Sequence, residues 1–304
     1  MKKILITTGG TGGHVIPAKI IAEHLADSSE IIFSTDLRGY RYLESSKNKK
    51  IIINTPKLNF SFLLPFRLIK LIYLMLKSIF YLKRNDIIKV ISTGGYMSLP
   101  VCLGAKLLGL KIYLLEPNLT LGRGNKFFLN ISEKIICYSD NIKNFPKKFV
   151  NKIRLIKPLV SKNYYEIKKT DNINSEFCFL VVGGSQGAKI FDGIIKEVIV
   201  DLSKDHLIKI IQQTSEVNVE NLQNFYKKNN IENKIFNFEK KFIDLIKDAD
   251  LCITRAGATT LAEISIMNKP FLAIPLLTAK DNHQMENAKF YEKLNCCWIL
   301  DQNS

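Results

Sequence analysis

A glycine-rich segment near the N-terminus, residues 9–14, constrains the fold of this chain more than any other feature. Its sequence, Gly-Gly-Thr-Gly-Gly-His, follows the apolar run 4–6 and precedes residues 15–22, whose apolar side chains recur with helical periodicity. A strand, a glycine turn and a helix start in this order are typical of a phosphate-binding loop. Glycine lets the backbone approach an anion, and a helix N-terminus offers free N–H groups. The alternative is a tight turn in which His14 only neighbours a helix cap.

The dinucleotide fingerprint G-x-G-x-x-G fits this segment poorly, because Val15 stands where its third glycine belongs when Gly10 and Gly12 are the first two. Asp36 nevertheless ends a second predicted strand, residues 31–36, at a spacing similar to that of the ribose-binding acid in dinucleotide folds. A Rossmann oxidoreductase therefore stays an alternative. An aspartate at the end of a strand is more often a helix cap or a turn residue, and we predict that role for Asp36.

The same order of strand, turn and helix recurs along the chain. The further strand-to-turn junctions lie at residues 89–96, 111–126, 177–189 and 250–263, and two more strands are predicted at 207–211 and 271–275. Turns at the carboxyl ends of parallel strands open on one edge of a sheet. We therefore predict an α/β chain of two Rossmann-like, doubly wound domains, 1–160 and 161–304, whose glycine turns face a common cleft.

One acidic residue in the last of these junctions has a simpler explanation than ligand binding. Thr260-x-x-Glu263 has the spacing of a capping box, in which the glutamate serves the start of a helix. A carboxylate that caps a helix still has lone pairs for a ligand, so the two roles are compatible.

The basic residues of the chain are unevenly distributed. Residues 1–160 contain 26 Lys and Arg against 9 Asp and Glu, whereas residues 161–304 contain 18 against 19. This asymmetry predicts a polyanionic partner for the first domain, either nucleic acid or an anionic membrane surface. The basic tracts alternate with aliphatic rather than stacking aromatic residues, so we expect no nucleic acid. A Lys-rich coding bias explains part of the excess but not the asymmetry.

The most hydrophobic stretch, residues 60–84, has the composition of a helix that lies in a membrane interface. It falls within residues 45–85, which contain no acidic residue. Aliphatic side chains cover most of the predicted helix. The cations at spacings of three and seven that share one face are Arg67, Lys70, Lys77 and Arg84. The alternative is a buried helix with a solvated basic edge.

The cysteines and the N-terminus indicate a cytoplasmic protein. The chain has six cysteines, mostly in apolar strand-like runs and without a C-x-x-C pair, which is typical of reduced, buried thiols. No window of about 18 residues is free of charge, so we predict no membrane-spanning helix. Residues 1–3 lead into an apolar run that we interpret as a core strand rather than a signal peptide.

Six ordered motifs along nearly the whole chain closely resemble those of the MurG family, the peptidoglycan glycosyltransferases of the GT-B fold. The motifs are residues 9–14, 92–96, 116–118 with 125–126, 183–188, 255–263 and 281–287. Family members move N-acetylglucosamine from UDP-GlcNAc to the lipid-linked muramyl-pentapeptide, lipid I. The resemblance implies this activity here, with lipid I bound by residues 1–160 and UDP-GlcNAc by 161–304. It also implies a peripheral location at the cytoplasmic face of the bacterial plasma membrane.

The resemblance also assigns roles by position. The residues implied to contact the sugar nucleotide are Thr11, Gly12, Gly13, Asn118, Ser185, Gln186, Ile243, Ala258, Thr259, Thr260, Leu261, Ala262, Glu263 and Gln284. Among them, Ser185 and Gln186 are implied to lie at the pyrophosphate, and Glu263 at the ribose hydroxyls. The residues implied to hold the acceptor diphosphate are Gly10, Gly94, Gly95 and Tyr96.

Three departures from the family pattern stand out. The family's Asn-Pro-Val-Arg at the domain junction is Lys-Pro-Leu-Val at residues 157–160, so the arginine expected near the diphosphate is replaced by Val160. Lys157 or Lys162 is the candidate substitute, as a point charge without bidentate geometry. The family's Glu-Gln-Asn has a proline in its middle position here. Family members also continue beyond the position of Ser304, which predicts a second domain truncated at its C-terminus.

The implied reaction is a direct displacement with inversion, in which the muramyl C4 hydroxyl attacks C1 of GlcNAc and UDP leaves. Histidine suits a general base near neutral pH, so His14 is the candidate catalytic base and Glu116 the second choice. Backbone N–H groups are expected to hold the departing phosphates, and the chain has no Asp-x-Asp, so we expect no metal and no cofactor. The alternatives are a UDP-GlcNAc epimerase or other GT-B enzyme, and a truncated membrane-bound nucleotide binder without turnover.

Overall fold

The computed structural model describes residues 2–57, 62–167, 176–183, 189–239, 241–276, 278–279 and 282–302, with residue 189 described by its backbone alone. The chain divides into two compact units, residues 1–162 and 163–304. Each unit contains one parallel β-sheet flanked by helices, as the repeated order of strand, turn and helix predicts.

The described strands of the first unit are β1 Lys2–Thr7, β2 Ser29–Thr35, β3 Lys49–Ile52, β4 Ile87–Ser92, β5 Lys111–Glu116, β6 Lys134–Cys137 and β7 Ile153–Leu155. They form one parallel sheet in the order β3-β2-β1-β4-β5-β6-β7. The helices are α1 Gly12–Leu25, α2 Leu37–Leu43, α3 Leu64–Arg84, α4 Leu99–Leu107 and α5 Arg123–Phe128.

The described strands of the second unit are β8 Phe177–Val182, β9 Ile208–Gln213, β10 Glu232–Phe236, β11 Leu251–Thr254, β12 Phe271–Ala273 and β13 Cys297–Ile299. They form a parallel sheet in the order β10-β9-β8-β11-β12-β13. The helices are α6 Asn163–Glu166, α7 Lys189–Leu202, α8 Val219–Lys228, α9 Phe242–Asp248, α10 Ala258–Ile266 and α11 His283–Glu292.

The core of the first unit follows from the alternation of side chains along its strands. Leu5 of β1 packs into a buried cluster with residues of α3, α4 and α5, such as Phe128. Ile4 and Ile6 point to the opposite face and pack against α1 and α2, for example against Val15. Helices therefore cover both faces of this sheet, and its central strands are apolar on both sides.

Each sheet has one point where the strand order reverses. In the first unit the chain moves outward from β1 through β2 to β3 and returns to β4 on the other side of β1. In the second unit β8 and β11 are the corresponding neighbours. Ligands of open α/β sheets bind beyond the carboxyl ends of the strands at such a point. The glycine turns after β1 and β4, and the segment that connects β11 to α10, lie at these positions.

Asp36 caps α2, as its position at the end of a strand predicts. Its Oδ1 accepts hydrogen bonds from the backbone N–H of Gly39 and of Gly10, each at 2.8 Å. The side chain is 5% exposed, and Oδ2 lies 3.2 Å from Nε of Arg38. One carboxylate therefore ties the start of α2 to the glycine turn after β1.

Helix α3 exposes the apolar side chains that its sequence pattern places beside the cations. Only Leu74, Ser78 and Leu82 of α3 are buried. A continuous apolar stripe faces away from the sheet and consists of Phe66, Ile69, Tyr73, Leu76 and Phe80, each between 56% and 66% exposed. We call these five residues the α3 stripe. The alternative of a buried helix with only a basic edge in water is therefore wrong.

Two other observations concern the chain as a whole. All six cysteines are free thiols, and all except the partly exposed Cys296 are buried. Among the helices of the described residues, none combines the length and the apolar composition that a membrane crossing needs.

The packing of Gly39 yields a prediction about stability. A Cβ at this position would lie 2.9 Å from Cα of Gly9, on the turn after β1, and 3.1 Å from Oδ1 of Asp36. We expect Gly39→Ala to lower the free energy of unfolding by about 1–3 kcal/mol, because backbone atoms must move to accept the methyl group. Urea unfolding measures the change.

Gly193 in α7 is the matched control. A Cβ there meets no atom within 4 Å. Alanine is more favourable than glycine inside a helix by about 1 kcal/mol, so Gly193→Ala should be neutral or stabilising. Equal stability of Gly39→Ala and wild type would contradict the close packing of α2 on the turn.

Candidate active site

In the first unit, the turns after β1 and β4 meet around His14. Gly10, Gly94 and Gly95 have φ angles of 85°, 92° and 80°, a left-handed region that favours glycine. Cβ atoms at Gly94 and Gly95 would lie 3.4 Å and 3.7 Å from the imidazole ring of His14. The two glycine turns, predicted separately from the sequence, are thus brought together by the pairing of β1 with β4.

The hydrogen bond of His14 selects the tautomer of its neutral ring. Nδ1 lies 2.8 Å from the carbonyl oxygen of Thr93. A carbonyl oxygen can only accept, so Nδ1 carries the proton and Nε2 has a free lone pair in the neutral ring. Nε2 lies 3.8 Å from the position of a Cβ on Gly95, on the side of the second glycine turn. The ring is therefore oriented to accept a proton from a group bound there.

Glu116 organises the loop after β5. Its Oε2 accepts hydrogen bonds from the N–H of Gly122 at 2.8 Å and from Nδ2 of Asn125 at 3.0 Å. Its Oε1 accepts from the N–H of Asn118 at 3.3 Å and from Nδ2 of Asn118 at 3.2 Å. Four donors engage a carboxylate that is 2% exposed. This arrangement suits the fixing of loop 117–122 better than the acceptance of a proton.

Asn125 connects this loop to the His14 site. Its Nδ2 also donates to the carbonyl of Leu115 at 2.9 Å, so both protons of the amide are used. Its Oδ1 is buried and has no hydrogen-bond partner among the described residues. A Cβ on Gly94 would lie 3.4 Å from Nδ2 and 3.5 Å from Oδ1 of Asn125, and 3.4 Å from the ring of His14. Of the residues predicted in the first unit, His14, Gly94, Gly95, Glu116 and Asn118 therefore belong to one cluster.

In the second unit, α10 begins directly after β11 with an uncapped N-terminus. Its N-cap is Gly257, no side chain caps it, and its first turn holds no acidic residue. The capping box predicted for Thr260 and Glu263 is therefore wrong, because Thr260 is already the third residue of the helix. Ala258, Thr259 and Thr260 are partly exposed, whereas Leu261, Ala262 and Ile243 of α9 are buried.

Glu263 has a partner that the sequence did not indicate. Its carboxylate accepts a hydrogen bond from the hydroxyl of Tyr164, on the short helix α6. Although the residue is partly exposed, burial of its carboxyl group raises the pKa to about 7, and the hydrogen bond from Tyr164 opposes this rise. Burial likewise raises the pKa of the Tyr164 hydroxyl, which is therefore a donor at neutral pH. No motif in residues 163–166 signals this role.

Three side chains join the segments around the start of α10. Nη1 of the buried Arg255 donates to the carbonyls of Ile274 and Pro275, at 2.9 and 3.4 Å. Nδ2 of Asn287, 1% exposed, donates to the carbonyl of Ala256 at 3.1 Å. Oε1 of Gln284 accepts from the N–H of Leu276 at 2.9 Å. Ser185 and Gln186, predicted for the pyrophosphate, lie outside the described residues.

The junction between the units lacks the arginine that the resemblance led us to expect. Val160 is fully buried, and its carbonyl accepts a hydrogen bond from Nε2 of His24 at 2.8 Å. Nζ of Lys162 lies 2.6 Å from Oδ2 of Asp27, in an ion pair just after the end of α1. Lys162, one candidate substitute, is thus engaged within the first unit, whereas Lys157 is exposed.

The raised pKa of Glu263 predicts how stability depends on pH. Below pH 4.5 the carboxyl group is protonated in both the folded and the unfolded state. As the pH rises to about 7, the unfolded chain releases the proton first, so the folded state loses stability. Above pH 7 the loss is complete. We expect Glu263→Gln, which keeps an acceptor for Tyr164, to be more stable than wild type at pH 8 by up to about 3 kcal/mol.

The difference in the free energy of unfolding between Glu263→Gln and wild type should shrink toward zero at pH 4.5. Urea unfolding at pH 8 and at pH 4.5 measures it. Glu220→Gln, at an exposed position of α8, is the control and should change stability little at either pH. An advantage of Glu263→Gln that does not depend on pH would contradict the explanation.

Comparisons with known proteins identify the family of this chain. The models of the glycosyltransferase family 28 N-terminal and C-terminal domains match residues 4–137 and 178–304. Relatives from Pelagibacter ubique and Rickettsia canadensis are 49% and 34% identical over 99% and 100% of this chain, and the matches cover 85% and 87% of their own lengths. Both are named UDP-N-acetylglucosamine–N-acetylmuramyl-(pentapeptide) pyrophosphoryl-undecaprenol N-acetylglucosamine transferase.

The solved structures include MurG from Acinetobacter baumannii, with a TM-score of 0.79, 25% identity, and coverage of 100% of this chain and 86% of that one. A structure titled as a possible UDP-N-acetylglucosamine 2-epimerase from Listeria monocytogenes matches with a TM-score of 0.61 at 10% identity, covering 95% and 82% of the two chains. That likeness concerns the fold alone. The two family models, the identity to the named relatives and the solved structure lead to one conclusion: the chain belongs to glycosyltransferase family 28 and, within it, to the MurG family.

Proposed function

We propose that this chain is an inverting hexosyltransferase that moves N-acetylglucosamine from UDP-GlcNAc to the C4 hydroxyl of the lipid-linked muramyl-pentapeptide. The observation that carries the proposal is the orientation of His14 at the strand-order reversal of the first sheet, with Nδ1 held and no hydrogen bond at Nε2 within the described part of the chain. Membership in a family whose curated relatives bear the name of this activity supports it. We assign residues 1–160 to the acceptor and 161–304 to the donor.

In this mechanism His14 is the general base. Nε2 takes the proton of the C4 hydroxyl as that oxygen attacks C1 of the donor sugar, and the carbonyl of Thr93 holds the Nδ1–H of the imidazolium that forms. Glu116 contributes indirectly, since it holds the loop that carries Asn118 and positions Asn125 beside Gly94. We assign the acceptor diphosphate to the two turns that carry Gly10, Gly94, Gly95 and Tyr96.

On the donor side, the start of α10 binds the nucleoside. Thr259 and Thr260 are partly exposed there, and the free N–H groups of an uncapped helix start favour a polar or anionic ligand. Glu263 accepts from the ribose hydroxyls with the lone pairs that Tyr164 leaves free. Leu261, Ala262 and Ile243 support this surface from behind because they are buried. We assign the transferred sugar to Thr11, Gly12 and Gly13 at the start of α1, where Thr11 and Gly13 are exposed and Gly12 is buried, with Gln284 and Asn118 as further contacts.

Transfer of radiolabel from UDP-GlcNAc to a short-chain lipid I analogue tests the activity, and His14→Ala tests the base. We expect this substitution to lower kcat by about 10²- to 10⁴-fold with little change in the affinity for UDP-GlcNAc. His206→Ala, which removes an exposed histidine of the second unit, should leave kcat unchanged. A His14→Ala variant with wild-type kcat would exclude His14 as the base.

We further propose that the first unit binds an anionic membrane surface through α3. The α3 stripe supplies aliphatic and aromatic side chains for the interface. The exposed cations Lys70, Lys77 and Arg84 each follow a stripe residue by four positions, one helical turn. Cations within a Debye length, about 8 Å at physiological salt, are attracted to anionic headgroups by about 1 kcal/mol each. Such binding is peripheral, reversible and sensitive to salt.

Flotation with vesicles that contain an anionic lipid tests this location. We expect the wild type to float at low salt and to be released at high salt, and Lys70/Lys77/Arg84→Gln to float several-fold less. A control that removes three exposed cations from the second unit, Lys227/Lys228/Lys293→Gln, should float like wild type. Equal flotation of all three proteins, or none by the wild type, would refute membrane binding by α3.

A further inference from the structure

An exposed guanidinium group lies over the glycine turn of the first unit. Arg38 is the second residue of α2, and its side chain is 56% exposed. Its Nη2 is 3.4 Å from the hydroxyl oxygen of Tyr96 and 3.7 Å from the position of a Cβ on Gly10. The cation therefore lies between the turns after β1 and β4.

Asp36 holds Arg38 in this position. Its Oδ2 accepts from Nε of Arg38 at 3.2 Å, and its Oδ1 is itself fixed by the N–H groups of Gly10 and Gly39. The ion pair uses Nε and leaves the Nη groups of the guanidinium for other acceptors. Nη2 donates to the oxygen of Tyr96, so the hydroxyl proton of Tyr96 is available to a further acceptor.

A planar guanidinium beside a hydroxyl donor suits an anionic ligand. Phosphate oxygens, like those of a carboxylate, accept paired hydrogen bonds from arginine with a geometry that lysine does not reproduce. The N–H of Gly10, which the resemblance placed at a diphosphate, is already engaged by Asp36. The positive charge available at this turn therefore comes from a side chain rather than from that amide.

Arg38 and His14 lie at different parts of the same two glycine turns. The ring of His14 lies against Gly94 and Gly95, whereas the guanidinium of Arg38 lies against Gly10 and Tyr96. The muramyl sugar carries its reacting hydroxyl at C4 and its diphosphate at C1, on opposite sides of one ring. A sugar bound across the Gly94–Tyr96 turn thus presents one group to each side chain.

We propose that Arg38, with Tyr96 as its partner and Asp36 as its support, binds the diphosphate of the polyprenyl-linked acceptor. This inference rests on the proposed function and adds a side-chain ligand to its acceptor site. The alternative is an ion pair of Arg38 with the buried Asp36 that has no ligand. Arg38 itself is exposed, and Asp36 keeps the N–H donors of Gly10 and Gly39 when the guanidinium is removed, so Arg38→Gln is expected to fold in either case.

The test compares steady-state kinetics of wild type, Arg38→Gln, Arg38→Lys and Arg41→Gln. We expect Arg38→Gln to raise KM for the acceptor by about 10- to 100-fold and to leave KM for UDP-GlcNAc unchanged, because charge-assisted hydrogen bonds are lost. The KM of Arg38→Lys for the acceptor should lie between those of wild type and Arg38→Gln, since lysine keeps the charge but lacks the paired N–H donors of the guanidinium. Arg41→Gln, an exposed arginine on the same helix, is the control and should match the wild type.

Acceptor analogues with a diphosphate or a monophosphate separate binding from a structural role. Wild type should prefer the diphosphate, and Arg38→Gln should lose most of that preference. A structural role would instead weaken both analogues equally and lower Tm. An unchanged KM for the acceptor in Arg38→Gln, or an equal rise for both analogues, would overturn the inference.

The experiment also separates this inference from the proposed function. If the wild type transfers no sugar, the proposed function fails, and calorimetry with a water-soluble prenyl diphosphate still decides on Arg38. Binding to wild type that weakens in Arg38→Gln and persists in Arg41→Gln supports the site. Equal binding to wild type and Arg38→Gln, or none to either, overturns it.

Discussion

The parallel pairing of β1 with β4 is the constraint on which the site of the first unit depends. Thr7 pairs with Ser92, so the chain leaves both strands at the same level, and the hydroxyl of Thr93 donates to that of Thr8 at 2.8 Å. This junction places the carbonyl of Thr93 against Nδ1 of His14. The orientation of the ring is thus set by the register of the sheet, because a slip of one residue would move the carbonyl away.

Much of the fold could be predicted from the sequence, because the central strands are buried on both faces and appear as apolar runs. Two strands that the pattern missed, β3 and β7, are short edge strands that mix charged with apolar residues. His14 could be predicted as a site residue because it follows a glycine turn. Its hydrogen-bond partner, the carbonyl of Thr93, is 79 residues away and could not be predicted, because every residue has a backbone carbonyl.

The second unit shows where sequence spacing misleads. Thr260 and Glu263 have the spacing of a capping box, but the helix already starts at Ala258. The position of the helix start is therefore set by the segment after β11 and not by these two side chains. The carboxyl group of Glu263 is instead buried beside Tyr164 of α6, which disfavours its ionised form. Binding sites for polar ligands commonly contain buried polar groups that lower the stability of the fold, since the same desolvation strengthens hydrogen bonds to the ligand.

The α3 stripe has a consequence for the folding equilibrium of the first unit. These side chains contribute almost nothing to its core, so the stability of the unit in water comes from the other buried clusters. Any surface that covers the stripe in the folded state alone adds a free energy of binding by mass action. The balance between folded and unfolded chains then depends on how much of that surface surrounds the protein.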